Sequence, residues 1–339
     1  EESAQDVPIS VVNVSDKTIT QAGITTAQEL QQVVSGLQVS VPNPRLTQFT
    51  LRGLGSSAFN EGLESSVALF IDGVYLGRPG MSIGDLIDIE RIEVARGPQG
   101  TLFGKNATAG TLHVITRKPQ FTREHLFEVT RGTEGTAQYR GSTTGPLSDT
   151  LAYRVTAWQT ARDGLITNRF NGEQYNDRFR EGVRGQLLWA PTSQFSSRLI
   201  AEYNRVDEQC CAFPLIGEPR PNIKASDEYV LYDRVSGDPF DRMADLDVRP
   251  RSQAEQYAVS NEAQWDMTLR HRLVSISALR DFRFVPTTED NTSLDLVQGG
   301  TRSAQTQISQ ELRIDSLWSS AQSVLGLYYL DQDTRGAEF

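Results

Sequence analysis

Long apolar runs are missing from this sequence of 339 residues, of which 38% are hydrophobic. No run approaches the ~18 consecutive apolar residues that a membrane-spanning helix requires. A membrane location is not excluded by this absence. A transmembrane β-barrel alternates apolar and polar residues along each strand, so it has no long apolar run either.

Basic charge is also scarce. The chain carries 33 Lys and Arg against 43 Asp and Glu, a formal net charge of −10. Because phosphate binding needs a basic surface, this balance argues against nucleic acid as a partner.

The residue types that usually carry catalysis form no recognisable motif. The histidines, His113, His125 and His271, are scattered, and neither HExxH, CxxC nor GxSxG occurs. No catalytic zinc site or nucleophile elbow is therefore expected. A GxGxxA match begins at Gly53 but leads into a polar loop, whereas a dinucleotide site needs a helix there. We predict that the protein is not an enzyme and that it holds no cofactor.

Cysteine is nearly absent, and the two cysteines present, Cys210 and Cys211, are neighbours. Adjacent cysteines cannot form a CxxC metal site. Three interpretations stay open: a vicinal disulfide in an oxidising compartment, free thiols, or soft metal ligands.

The first 119 residues combine strand and helix signals. Apolar periodicity predicts strands near 7–14, 49–52 and 67–71, and Asp72-Gly73 is a hairpin turn signal. Thr26 and Glu29 form a capping box before Leu30, Val33, Val34 and Leu37, a pattern that predicts a short amphipathic helix. We therefore predict a small α+β domain over residues 1–119.

After Pro119, long alternating strands replace the helix signals. Leu151, Tyr153 and Val155 alternate with Ala152 and Arg154, and similar runs of ten or more residues follow. We expect about nine strands between residues 125 and 334, joined by short turns that alternate with long loops. Strands of this length exceed those of soluble sandwiches and suit a transmembrane antiparallel β-barrel over residues 120–339.

One stretch carries a family resemblance. Residues 89–119, IERIEVARGPQGTLFGKNATAGTLHVITRKP, are similar to the end of the plug domain of TonB-dependent outer-membrane receptors. The runs QDVPISV, GLQVS, LRGLG and FIDGVYLGR precede it in the family's order. The resemblance implies an α+β plug inside a transmembrane antiparallel β-barrel of 22 strands. The 220 residues after the plug are too few for that barrel, so we expect the chain to be the N-terminal part of a longer protein.

The same resemblance implies a function. It predicts TonB-dependent active transport of a metal chelate, most simply an iron-siderophore, across the bacterial outer membrane. The implied partners are TonB with the inner-membrane energising complex, the metal-chelate ligand and outer-membrane lipid. TonB would bind a box expected upstream of Glu1. Three alternatives stay open: another ligand such as cobalamin or an oligosaccharide, a signalling or adhesion module, and a soluble secreted all-β binding protein.

Site residues follow from the resemblance as well. Plug loops that would touch the ligand contain Arg45, Phe59, Asn60, Tyr75 and Arg78. A second group is implied to contact the barrel, with the arginines pairing with carboxylates of the wall: Arg52, Arg96 and Glu93.

Overall fold

The computed structural model describes residues 10–55, 63–82, 85–214, 238, 240–287 and 300–338. Its first part contains eight strands: β1 (Val11–Ser15), β2 (Leu37–Ser40), β3 (Gln48–Leu51), β4 (Leu54–Gly55), β5 (Val67–Ile71), β6 (Val74–Leu76), β7 (Ile89–Arg96) and β8 (Gly110–Thr116). Two short α-helices, α1 (Asp16–Gln21) and α2 (Gly100–Phe103), and three 3₁₀ turns, Ala27–Gln32, Pro44–Leu46 and Pro79–Ser82, connect them. We call this part the plug.

The plug is built on a five-stranded sheet in the order β1-β7-β8-β5-β6, with a smaller β2-β3-β4 sheet beside it. Strands β5 and β8 are parallel, whereas the β5–β6 hairpin is antiparallel and turns at Asp72-Gly73 as predicted. Both turn residues have positive φ (48° and 80°), which suits the sequence Asp-Gly. The turn matters because it projects from the plug sheet towards the second part of the protein.

The predicted amphipathic helix is a 3₁₀ turn over Ala27–Gln32. The capping box is present: Glu29 Oε2 accepts the Thr26 N–H at 2.9 Å and also the Thr25 N–H at 2.6 Å. Leu30 and Val34 are fully buried in the plug core. Only part of the predicted helix forms, because the chain turns into β2 at Leu37 and 3₁₀ geometry is common in such short pieces.

The second part is one antiparallel sheet of nine long strands, which we call the wall. Its members, in spatial order as well as in sequence, are β9 (Glu124–Arg131), β10 (Ala137–Ser148), β11 (Leu151–Arg162), β14 (Arg178–Thr192), β15 (Phe195–Glu208), β17 (Ser252–Thr268), β18 (His271–Pro286), β19 (Thr301–Leu317) and β20 (Gln322–Glu338). The missing numbers are three short strands in the long loops: β12 (Ile166–Asn168), β13 (Gln174–Tyr175) and β16 (Met243–Ala244). The strand number and the alternation of short turns with long loops agree with the sequence prediction.

The two faces of the wall differ in polarity. On β11, Val155 is 42% exposed on the outer face, while its neighbours Arg154 and Thr156 are 2% and 0% exposed on the inner face. Outward aromatic residues gather beside the short turns: the rings of Trp189 and Phe195 lie 5.5 Å apart. An apolar outer face that ends in aromatic side chains is the surface that a lipid bilayer covers.

Within the part of the chain that the structure describes, no helix is both long and apolar enough to cross a membrane.

Candidate functional site

The plug meets the wall through carboxylates on the plug and arginines on the wall. Asp88 accepts hydrogen bonds from Arg154 Nε at 2.6 Å and Nη2 at 2.5 Å, a two-pronged contact. Thr156 Oγ1 donates to the same carboxylate at 2.6 Å. Asp88 and Arg154 are both nearly inaccessible to solvent. This contact fixes the segment before β7 against β11.

Two further plug aspartates repeat the pattern. Asp85 accepts from Thr160 Oγ1 at 2.5 Å and pairs with Arg180 at 3.4 Å. Asp72, in the hairpin turn, pairs with Arg198 at 3.2 Å. The interface therefore contains three plug aspartates, each beside a different wall arginine.

Strand register explains why these wall groups lie together. One line of directly paired positions crosses eight strands and faces inwards: Ser142, Thr156, Arg184, Glu202, Ala258, Arg280, Gln307 and Gln332. We call this line the wall row. Because side chains alternate between the faces of a sheet, one inward position on β10 fixes the inward position on each neighbour.

Members of the wall row hold the plug at successive points. Arg184 Nη1 donates to the backbone carbonyl of Ile87 at 3.1 Å. Gln307 accepts from the Gly77 N–H at 3.0 Å and donates to the Tyr75 carbonyl at 2.7 Å. Gln332 accepts from Lys105 Nζ at 3.4 Å. The wall thus binds plug backbone as well as plug side chains.

Electrostatics favour the ionised form of Asp88. Burial alone would raise the pKa of Asp88, but hydrogen bonds from Arg154 and Thr156, together with the charges of Arg154 and Arg184, outweigh it and lower the pKa below its usual value. A buried ion pair adds little net stability, because desolvation offsets the attraction, but removing one partner costs about 3–5 kcal/mol. Such contacts therefore specify where the plug sits more than how strongly it is held.

Known proteins resemble this chain in both sequence and structure. A family model described as the TonB-dependent Receptor Plug Domain matches residues 3–111. Residues 3–111 belong to the plug domain of the TonB-dependent receptors, and the similar proteins support the same family for the chain. The pesticin receptor of Yersinia pestis is 31% identical to this receptor over 175 residues, which are 50% of this chain and 25% of that protein. The ferrioxamine receptor of Yersinia enterocolitica is 29% identical over 140 residues, 40% of this chain and 19% of that protein.

Solved structures agree on the fold. The crystal structure of the ferric yersiniabactin uptake receptor FyuA from Yersinia pestis aligns with a TM-score of 0.82 at 22% identity, over 100% of this chain and 51% of that chain. This receptor therefore has the family's α+β plug and antiparallel barrel wall, and its chain spans about half the length of the FyuA chain. The similar proteins are named as receptors rather than enzymes, among them a pyoverdine outer membrane receptor from Pseudomonas aeruginosa, and this receptor is likewise an outer-membrane protein.

The predicted ligand-contact residues occupy different positions. Arg45 and Arg78 are both buried in the plug, and Arg78 Nη1 donates to Ser303 Oγ of β19 at 3.0 Å. Burial, and next the nearby charge of Arg45, lower the pKa of Arg78 to about 10. Phe59 and Asn60 lie outside the described residues. Two guanidinium groups close together at the long-loop end suit an anionic ligand, and this role stays a prediction.

Tyr75 is buried and already has several partners. Its hydroxyl accepts from Asn106 Nδ2 at 2.6 Å, and its ring lies 5.7 Å from that of Phe70. Burial raises the pKa of Tyr75 to about 12. With its carbonyl bound to Gln307, Tyr75 helps to hold the plug on the wall.

The predicted plug–barrel residues make other contacts in the structure. Arg96 Nη2 donates to the Ser35 carbonyl at 2.7 Å, and Glu93 pairs with Arg91 at 2.7 Å, both inside the plug. Arg52 is exposed and has positive φ (51°). Their predicted pairing with the barrel stays untested.

Cys210 and Cys211 are joined to each other in the structure. They follow β15 at the long-loop end, where Ser252 Oγ donates to the Cys210 carbonyl at 3.1 Å and Cys210 Sγ lies 3.8 Å from the Pro42 carbonyl of the plug. Among the described residues, no three His, Cys, Asp or Glu side chains come together as a metal site.

The aspartates at the interface, Asp72, Asp85 and Asp88, are the functional residues that sequence reasoning missed. A signal was present, since Asp85 and Asp88 flank the apolar pair Leu86-Ile87 just before a strand. Wall arginines also recur at inward positions of the alternating strands. The sequence does not say which aspartate meets which arginine, because Asp88 and Arg154 are 66 residues apart.

Proposed function

We propose that the receptor imports an iron-siderophore or a similar anionic metal chelate across the outer membrane by TonB-dependent active transport. The observation that supports this most is the chemistry of the interface between plug and wall. The plug is bound by ion pairs and by hydrogen bonds to its backbone, contacts that water can replace when the plug moves. A passive pore would need no removable plug, and a purely structural protein would need no polar interface between plug and wall.

The names of the relatives support the ligand class. Two of the similar proteins are a ferrioxamine receptor and a ferric yersiniabactin uptake receptor. The buried guanidinium groups of Arg45 and Arg78 provide positive charge at the long-loop end, where an anionic chelate would enter.

The proposed cycle has three steps. The chelate binds between the long loops and the plug face that carries Arg45 and Arg78. Binding alters the opposite face of the plug, and TonB pairs with an upstream segment as an added strand, a common mode of peptide recognition. Force from the inner-membrane complex then breaks the aspartate–arginine contacts and opens a path along the wall.

Uptake of labelled ferric siderophores by cells that express the full-length gene tests the proposal. We expect uptake that is lost without TonB, and that Arg45→Gln and Arg78→Gln weaken ligand binding. Arg272→Gln is a matched control, because Arg272 lies beside the short turn between β17 and β18, away from the long loops, and its side chain is 50% exposed. Uptake that is equal with and without TonB would contradict the mechanism. TonB-dependent uptake of cobalamin or an oligosaccharide instead of iron would contradict only the ligand class.

A further inference from the structure

One member of the wall row, Ala258 of β17, has a side chain too small to fill the space between the wall and the plug. This small residue lies between Glu202 and Arg280 in the row, opposite the plug turn that carries Asp72. A small cavity opens there, lined among others by these four residues and Ser260. The volume within which the centre of a water molecule can lie is about 10 Å³. This volume is close to the minimum that one buried water requires.

Arg280 presents unsatisfied donors at this cavity. The residue is 5% exposed, and its Nε and Nη2 atoms have no acceptor among the described residues. These two nitrogens form one edge of the guanidinium group, the edge that normally binds an oxygen ligand. A buried donor without a partner is costly, so native proteins rarely leave one.

The acceptors on the other side of the cavity are already partly used. Asp72 accepts from Arg198 and twice from Thr116, and Glu202 accepts from Arg184 and from Asn204. Because a carboxylate accepts about four hydrogen bonds, about one acceptor position remains on Asp72 and about two remain on Glu202. A molecule that fills the cavity must therefore accept from Arg280 and donate to a carboxylate.

We propose that one ordered water molecule occupies this cavity and bridges Arg280 to Asp72 and Glu202. Water is the small ligand that both accepts and donates, whereas an anion would meet two carboxylates. The turn at Asp72 is then held from both sides: directly by Arg198 of β15, and through water by Arg280 of β18. Arg280 is a positioning residue for the plug. If the proposed transport holds, this is the side on which the turn separates most easily, because a bridging water exchanges with solvent.

A double-mutant cycle tests the bridge in the full-length receptor without ligand or TonB, so the result does not depend on the proposed function. Ala258→Val fills the cavity and displaces the water. The readout is hydrogen exchange at the amides of Asp72 and Gly73, which donate to the Val114 carbonyl and to His113 Nε2. We expect exchange to speed up about 5- to 150-fold, the factor for one unsatisfied buried donor. In the Arg280→Met background, the same change should have little effect, because no buried donor is left.

Three results would overturn the inference. One is an equal effect of Ala258→Val in both backgrounds, which would show steric strain alone. Another is an anomalous bromide peak in the cavity of crystals soaked in bromide, which would identify an anion site. The last is a high-resolution structure in which Arg280 binds Asp72 directly. Density for a single water within hydrogen-bond distance of Arg280 and of either carboxylate would support it.

Discussion

Of the three interface aspartates, Asp88 accepts the most hydrogen bonds from the wall. Its carboxylate binds Arg154 and Thr156 on the wall, and its carbonyl accepts the Arg117 N–H at 3.0 Å. It thus joins the segment before β7, the chain that leaves β8, and the wall. A substitution of Asp88 should therefore loosen the contacts among all three of these segments.

Asp88→Asn should destabilise the docked plug by about 3–5 kcal/mol, because it leaves the Arg154 charge buried without its partner. Asp88→Asn combined with Arg154→Met should recover much of the loss, since no charge is left buried. Chemical denaturation of the purified receptor, monitored by the protease sensitivity of the plug, measures both the loss of stability and its recovery.

Asp333→Asn is the control, because the Asp333–Arg335 pair lies on the exposed face of β20 and such surface pairs contribute about 0–1 kcal/mol. If Asp88→Asn and Asp333→Asn had equal effects, the central role of Asp88 would be refuted.

Acid should loosen the plug through the same carboxylate. The pKa of Asp88 is lower in the folded protein than the ~3.9 of an unfolded chain, so the unfolded state binds the proton first. The stabilisation is complete above about pH 4 and is lost as the pH falls from there through the lowered value. Hydrogen exchange of β7 amides over a pH series should show this loss in the wild type and a smaller one in Asp88→Asn. Identical pH profiles would rule Asp88 out as the group responsible.

At the scale of elements, helix α1 is tied to the wall through Arg117. Arg117 Nη2 lies 2.7 Å from Asp16 Oδ2 at the start of α1, and its Nε lies 3.9 Å from Asp88 Oδ1. The Arg117 carbonyl accepts from Gln186 of β14 at 3.1 Å. A chain of contacts therefore runs from the N-terminal part of the plug to β14 and β11.

Arg117→Met should release α1 without unfolding the plug. The Asp16–Arg117 pair is partly exposed and screened, so we expect α1 amides to exchange only about 2- to 5-fold faster, the factor that corresponds to about 0.4–1 kcal/mol. Lys118→Met is the matched control, a neighbouring basic residue for which no ion pair is found among the described residues. Equal exchange of α1 in the two variants would mean that Arg117 does not hold the helix.

The strands and turns that could be predicted from the sequence are those whose signal lies within a few neighbouring residues. The strands of the wall follow from alternation such as Arg154 and Val155, and the hairpin follows from Asp72-Gly73, because both signals lie within a few residues. The 3₁₀ turn at Ala27–Gln32 was predicted as part of a short amphipathic helix, because a capping box can precede a helix of either type. Pairs such as Asp72 with Arg198, 126 residues apart, depend on barrel register, which no local pattern contains.

At the scale of the whole molecule, the outer apolar face of the wall fixes the protein in a bilayer and the inner polar face holds the plug. The two faces arise from one alternation, so each wall strand serves both tasks. Apolar contacts also join plug and wall among the residues described: the plug core continues into Val206, Ala254, Phe282 and Phe284 of the wall, and Leu330 of β20 packs against the cluster of Ala68, Tyr75 and Ala107. In a separate cluster, Val74 of the plug packs with Val274, Ile276 and Ala278 of β18. The central claim is that polar contacts, which water can replace, position the plug in the wall, and that the plug moves during the proposed transport.

Cross-linking the plug to the wall at the contact between Val74 and Ile276 tests the claim most directly. A receptor with Val74→Cys and Ile276→Cys can be cross-linked in cells, and ligand binding and uptake can be measured before and after reduction. The account predicts that the cross-linked receptor binds ligand but does not take it up, and that reduction restores uptake. The single substitutions, which keep Cys210 and Cys211, control for the reductant. Undiminished uptake by the fully cross-linked receptor would contradict the account, because transport would then proceed with this part of the plug fixed to the wall.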